Sequence, residues 1–98
     1  MEERYKSKIV VDLLLKRKNE NNKEEILLSL RENTGYRDGY YDLPGGHVEK
    51  DEDLFAAMIR EAKEELGLDI FREDMKMVHI YHHFRNNMLK SVFSVNKY

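Results

Sequence analysis

Apolar positions fall in short runs divided by charged and turn-forming stretches. Ile9 to Leu15 is apolar and rich in β-branched side chains, interrupted only by Asp12, and predicts a strand. Lys16 to Glu25 is polar, with Asn19, Asn21 and Asn22, and predicts a hairpin loop. Ile26 to Leu30 predicts a second short strand, an antiparallel neighbour of the first. Asn33 to Gly39 predicts a loop, because Asn33, Gly35, Asp38 and Gly39 are all turn formers. Tyr40 to Leu43 predicts a short strand that Pro44-Gly45-Gly46 breaks.

The period then changes from two to 3.6 residues. Leu54, Phe55, Met58, Ile59, Ala62 and Leu66 recur at helical spacing and form one apolar stripe, predicting a helix over Asp53 to Leu66. The acids of Asp51 to Asp53 suit its start, at the positive end of the helix dipole, and Gly67 suits its end. Met75 to Phe84 and Leu89 to Val95 predict two further strands around an Arg85-Asn86-Asn87 turn. Alternation along the former sends His79 and His83 to one face and His82 to the other. The element order predicts a mixed α+β domain with no internal repeat and no linker, one domain over residues 1–98.

Composition narrows the function classes. The net charge of −2, from 17 basic and 19 acidic residues, supplies no global field for nucleic acid or anionic membrane. Stable nucleic-acid binding is therefore not expected, and any phosphate site must be a local device. The absence of cysteine excludes disulfides and thiolate metal sites and agrees with a cytoplasmic setting. The polar Met1 to Lys8 segment lacks a signal-peptide core, and no apolar run approaches membrane-spanning length.

One constellation carries chemistry. Glu61, Glu64 and Glu65 stand at i, i+3 and i+4 and share a helix face beside the apolar stripe. Three like charges there repel, and a hard divalent cation such as Mg²⁺ or Mn²⁺, which favours carboxylate oxygens and phosphates, relieves the repulsion. Gly45 and Gly46 allow close backbone approach to a ligand and positive φ, and the loop behind them leads into the positive helix end. By themselves, acids on a helix more often mark a solvated face, and the glycines an ordinary tight turn.

The segment GHVEKDEDLFAAMIREAKEELGL, residues 46–68, resembles the Nudix box, Gly-x5-Glu-x7-Arg-Glu-U-x-Glu-Glu-x-Gly-U, where U is apolar. Gly46, Glu52, Arg60, Glu61, Glu64, Glu65 and Gly67 fill the fixed positions, with Ala62 and Leu68 at the apolar ones. At ordinary residue frequencies such a match arises by chance at about one start in 10⁸. Tyr41 to Glu49 is similar to the family's usual approach to the box, with Tyr41 where a Trp is common. Arg31 to Tyr41 resembles the matching loop of mutator-type bacterial Nudix proteins.

The resemblance implies a Nudix-type α/β/α sandwich with a mixed β-sheet. It implies Mg²⁺- or Mn²⁺-dependent hydrolysis of a pyrophosphate bond in a nucleoside diphosphate linked to another moiety. Glu61, Glu64, Glu65 and the Gly45 carbonyl would hold the metal, and Glu61 or Glu64 would activate water. Arg31 and Gly46 would bind the substrate, a nucleotide-type small molecule, and Glu52 with Arg60 would brace the loop against the helix. The chain stops at Tyr98, before the second long helix and last strands that the family implies. The chain is therefore read as a partial Nudix domain with the usual C-terminal part missing; the alternative is that a partner, for instance in a homodimer, supplies the missing layer. The competing functional readings are a non-catalytic nucleotide-binding module and a fragment lacking activity.

Other residues carry weaker expectations. Arg31 reads equally as an exposed charge or a phosphate-binding guanidinium. His47 reads first as a loop histidine, and His79, His82 and His83 as surface or satisfied core residues. Tyr36, Tyr40 and Tyr41 suit base stacking or a protein rim equally. Met75, Met77 and Met88 read as core filler.

Overall fold

A computed structural model describes the chain except residues 1–3, 33, 34, 36, 37, 97 and 98. Tyr36 therefore lies outside the described residues, as does Asn33 of the expected loop. The strands are β1 (Lys8–Lys18), β2 (Glu24–Ile26), β3 (Ser29–Leu30), β4 (Tyr41–Asp42) and β5 (Gly45–His47). Helix α1 (Leu54–Leu66) and a 3₁₀ turn (Arg72–Asp74) follow, and β6 (Lys76–His83) and β7 (Met88–Val95) close the sequence. The strands β2-β1-β7-β6 form a mixed sheet, with β5 also paired to β1, while β3 and β4 form a separate two-stranded ribbon.

β1 is the spine. It runs parallel to β7 from Lys8↔Met88 to Leu15↔Val95. Its centre is buried on both faces, which explains a nearly continuous apolar run rather than a strict alternation. On one face Val11, Leu13 and Leu15 join Phe93 and Val95 of β7 and meet Ala57, Met58 and Ala62 of α1. Phe55 adds an aromatic contact with Phe93, ring centroids 4.9 Å apart. The opposite face carries Lys8, Val10, Asp12, Met88 and Lys90, which line a cleft.

The helix begins and ends as its sequence predicts. Asp53 caps it, its carboxylate accepting from the Ala56 N–H at 2.8 Å. Gly67 closes it in the left-handed region at φ 68°. The Leu68 N–H then reaches back to the Ala62 carbonyl at 3.2 Å, satisfying a carbonyl the helix leaves open.

β1 and β2 extend into the expected Lys16–Glu25 loop, where Arg17 pairs with Glu25 and Lys18 with Glu24, and the strands depart from expectation in two further places. Ile26 to Leu30 is not one strand. Glu24–Ile26 pairs antiparallel with Lys16–Lys18, and Ser29–Leu30 turns away to pair with Tyr41–Asp42. The cause lies on β1, whose Val10–Asp12 edge is already taken by β5. The expected second strand therefore has no edge to follow beyond the end of β1. The second departure is β5 itself, where a break is expected after Leu43. Pro44 instead gives its carbonyl to the Leu13 N–H at 2.8 Å, and the glycines continue as a strand.

β6 and β7 form the expected hairpin, with a register shift between Met77 and His79. His79 and His83 stand opposite Val92 and Met88, and His82 opposite Leu89. The two faces predicted by alternation are observed. Met75 is buried with the core and Met77 packs against it, whereas Met88 lines the cleft.

Candidate functional site

Two backbone approaches create the site. At Gly45 a β-carbon would run into the Val11 carbonyl and lie 2.7 Å from the Asp12 Oδ1. At Gly46 it would lie 2.5 Å from the Glu61 carboxyl carbon. Only residues without a side chain let β5 sit between β1 and the acidic face of α1. The glycine requirement here is one of space, since neither residue has positive φ.

Glu65 turns to this strand. Its Oε2 accepts from the Gly45 N–H at 3.0 Å, and its Oε1 accepts from the Ser29 hydroxyl at 3.4 Å. Burial raises its carboxyl above the usual range, the Gly45 bond opposes this, and the Glu61 charge adds to it. Gly45 thus meets the acid cluster through its N–H.

Arg60 organises the other acids. Its Nε and Nη2 donate to the two Glu52 oxygens at 3.1 and 2.7 Å, a bidentate pair. Nη2 also donates to the His47 carbonyl at 3.0 Å. Nη1 donates to Glu61 at 2.9 Å and to Glu64 at 3.2 Å. Glu52 in turn accepts from the Glu49 N–H at 2.8 Å. The Arg60 bonds hold the Glu52 carboxyl below its usual range, and Glu52 raises Arg60 in return. One guanidinium therefore ties the loop after β5 to the helix while it bonds three box carboxylates, Glu52, Glu61 and Glu64.

In this arrangement the carboxylates are divided between two partners. Glu61 and Glu64 lean on Arg60, and Glu65 leans on Gly45. Among the described residues, no three His, Asp or Glu side chains converge at metal-holding distance. The donor chemistry still fits a hard divalent ion. Burial and, less strongly, the Glu61 charge raise Glu65, a strain that a cation would relieve, and the Glu64 side chain is 61% exposed.

The cleft beside this cluster encloses about 660 Å³. Arg31, Gly45, Gly46, His47 and Glu65 line it from the expected set. Arg31 lies 3.9 Å from Asp42, an ion pair at the cleft wall. Tyr40 and Tyr41 are both 67% exposed and are not among the lining residues. Asp12, Lys90, Lys8 and Asn86 also line the cleft, and none of them belongs to a motif in the sequence.

Asp12 is 7% exposed, and its Oδ2 lies 3.9 Å from the Lys90 ammonium. Burial pushes its carboxyl up to about 6, Lys90 opposes the shift, and Asp42 and Glu65 reinforce it. The signal for Asp12 was present as the one charge in an apolar run. Lys90 carries no comparable signal, because its place depends on the β1·β7 register.

A family model of the NUDIX domain matches residues 8–94. A MutT/nudix family protein from Enterococcus faecalis superposes with a TM-score of 0.87 at 26% identity, over 98% of this chain and 39% of that one. A MutT protein from Methanosarcina mazei Go1 superposes at 0.73 with 28% identity, over 97% of this chain and 67% of that one. An Ap4A hydrolase from C. elegans shares the fold at 0.61 with 24% identity, over 93% of this chain and 70% of that one. No curated protein matches in sequence. The chain thus spans well under half of the Enterococcus protein and about two thirds of the Methanosarcina one. With the box intact, the sheet and helix in Nudix arrangement and most of the sequence matched, the chain belongs to the Nudix domain family.

Proposed function

We propose that this chain forms the catalytic portion of a hydrolase that cleaves a pyrophosphate bond in a nucleoside diphosphate linked to another moiety. The observation that carries this reading is the seat of Gly46 against Glu61. A glycine strand pressed onto an acidic helix face, beside an open cleft, provides close backbone access and negative charge at one point.

Glu61, Glu64 and Glu65 would hold Mg²⁺ or Mn²⁺, with the Gly45 backbone beside them. Bound there, the ion supplies charge neutralisation and Lewis acidity toward the diphosphate. The chain's own residues do the rest. Glu61 or Glu64 orients a water and accepts its proton as the water attacks phosphorus and the bridging oxygen leaves. Arg60, anchored on Glu52, positions Glu61 and Glu64. Arg31 and Lys90 face the cleft as cations suited to phosphate oxygens. The nucleotide-type substrate follows from this chemistry and agrees with the Ap4A hydrolase among proteins of the same fold.

The test is product release from NTPs, ADP-ribose and dinucleoside polyphosphates with Mg²⁺ or Mn²⁺. Metal-dependent products removed by Glu64→Gln support the reading, and absence of products from every substrate contradicts it. The division of the carboxylates between Arg60 and Gly45 favours one alternative, a module that binds nucleotide without cleaving it. Calorimetry would then register metal-dependent binding with no product.

A further inference from the structure

Asp12 is a buried acceptor in the cleft that the fold leaves without a donor. Among the described residues its one ion-pair partner is Lys90, at 3.9 Å. A charge-assisted hydrogen bond runs at about 2.7–2.9 Å, so this contact is not one. Gly45 on β5 and Val92 on β7 stand directly opposite Asp12 and bear no side-chain donor. What little surface Asp12 keeps opens into the cleft. Burial raises its carboxyl to about 6, and the charges of Lys90 and Arg31, not a hydrogen bond, oppose the shift. A buried carboxylate normally takes hydrogen bonds, because leaving it without donors costs more than a bond contributes.

Gly45 separates this carboxylate from the acid cluster. Its N–H donates to Glu65 at 3.0 Å, and a β-carbon at the same residue would lie 2.7 Å from the Asp12 Oδ1. Bare backbone at position 45 therefore leaves Asp12 open to whatever occupies the corner beside Glu65. A diphosphate held at that corner would bring the group joined to it against Asp12.

The charges around Asp12 restrict the chemistry of that group. A further phosphate is repelled, because the charges of Asp42 and Glu65 already bear on Asp12 there. A cationic donor meets the Lys90 ammonium beside the same carboxylate. A neutral donor satisfies Asp12 without either repulsion, and the neutral donors on a group esterified to phosphate are sugar hydroxyls. Water can serve the same oxygens in the unliganded chain. The discrimination therefore falls on ligands that displace water and bring no donor of their own.

We infer that Asp12 is a specificity residue that accepts a hydrogen bond from a sugar hydroxyl beside the bound diphosphate. The inference rests on the diphosphate reading above. The hydroxyl belongs either to the nucleoside ribose or to a second sugar on the far phosphate, and the test separates these sources.

The test uses three non-hydrolysable probes of equal charge with Mg²⁺. They are the methylene-bridged analogue of ADP-ribose, the methylene-bridged ADP methyl ester, which lacks the second sugar, and the 2′,3′-dideoxy form of that ester. Calorimetry gives the affinity of the wild type, Asp12→Asn and Asp12→Leu for each. Loss of the engaged hydroxyl should weaken wild-type binding about 10–100-fold. The loss falls between the first and second probes for a second sugar, and between the second and third for the nucleoside ribose. That step should shrink in Asp12→Asn, which keeps only a neutral acceptor, and vanish in Asp12→Leu, which keeps bulk without an acceptor. A merely structural role would change all three affinities by one factor and leave the steps intact. Steps equal in the wild type and Asp12→Asn, or a wild type that binds all three probes equally, overturn the specificity role and leave the diphosphate site standing. A wild type that binds none of the probes overturns both.

Discussion

Gly46 is packed so closely on Glu61 that a single methyl group at Gly46 would lie 2.5 Å from the carboxyl oxygen Oε1. The seat of the Glu61 carboxyl thus leaves room at position 46 for glycine alone. Gly46→Ala should therefore displace Glu61 from Arg60 or push β5 off β1. Overpacking of this kind costs about 1–3 kcal/mol. The expected result is a lower melting temperature together with loss of metal-dependent activity, read by calorimetry and by the product assay on one preparation.

Arg60 contacts Glu52, Glu61, Glu64 and the His47 carbonyl at once. Its planar fork matters as well as its charge, because lysine cannot make the two parallel bonds to Glu52. Arg60→Lys should weaken Mn²⁺ binding about 10–100-fold, the usual effect of disturbing groups that orient metal ligands. Mn²⁺ titration followed by electron paramagnetic resonance measures this. Affinity equal to the wild type would remove Arg60 from the role of positioning the acids.

Asp12 supplies the pH dependence. Its folded carboxyl is raised from 3.8 to about 6, so the folded chain binds the proton more tightly than the unfolded chain. Stability therefore falls as pH rises between about 4 and 6, and the full penalty is present above that window. At 1.36 kcal/mol per pH unit the penalty is at most about 3 kcal/mol, and Lys90 is already counted against it. Asp12→Asn should flatten this segment of the stability profile, leaving the same-signed contribution of Glu65, and raise stability at neutral pH. Urea unfolding at intervals across pH 4 to 7 tests the prediction. A variant profile parallel to the wild type would show that Asp12 does not titrate in this window.

Glu65 differs from Glu64 in its surroundings. Glu65 is raised by burial and held by the Gly45 N–H, whereas Glu64 is mostly exposed and bonded to Arg60. Glu65→Gln should remove a ligand without leaving a buried charge, so the fold should persist while Mn²⁺ affinity drops. A second consequence separates this from a purely structural role. Bound Mg²⁺ should stabilise the wild type against heat by mass action, and Glu65→Gln should lose that increment. Equal stabilisation of both proteins would contradict a ligand role for Glu65.

Much of this architecture was legible in the chain. The stripe of Leu54, Phe55, Met58, Ile59, Ala62 and Leu66, capped by Asp53 and Gly67, specifies α1 through local rules alone. The acidic face followed from the same spacing. The pairing of β1 with β5 was not legible, because a Pro-Gly-Gly segment reads locally as a break. It becomes a strand only when the Val11 and Asp12 backbone comes close beside it. The cleft floor was hidden for the same reason. Asp12 and Lys90 are distant in sequence, and the parallel register that joins them is a property of the folded sheet. The sharing of Glu61 and Glu64 by Arg60 also needed side-chain directions that a helical wheel alone does not supply.

We propose that the box cluster cleaves a phosphoric anhydride. The most direct test is hydrolysis in ¹⁸O-labelled water with Mg²⁺ or Mn²⁺, using ADP-ribose and NTP substrates and mass analysis of the products. Metal-dependent products carrying ¹⁸O on one phosphate are expected, reduced about 10²-fold or more by Glu64→Gln. Tight, metal-dependent nucleotide binding by the wild type with no labelled product from any substrate would contradict it.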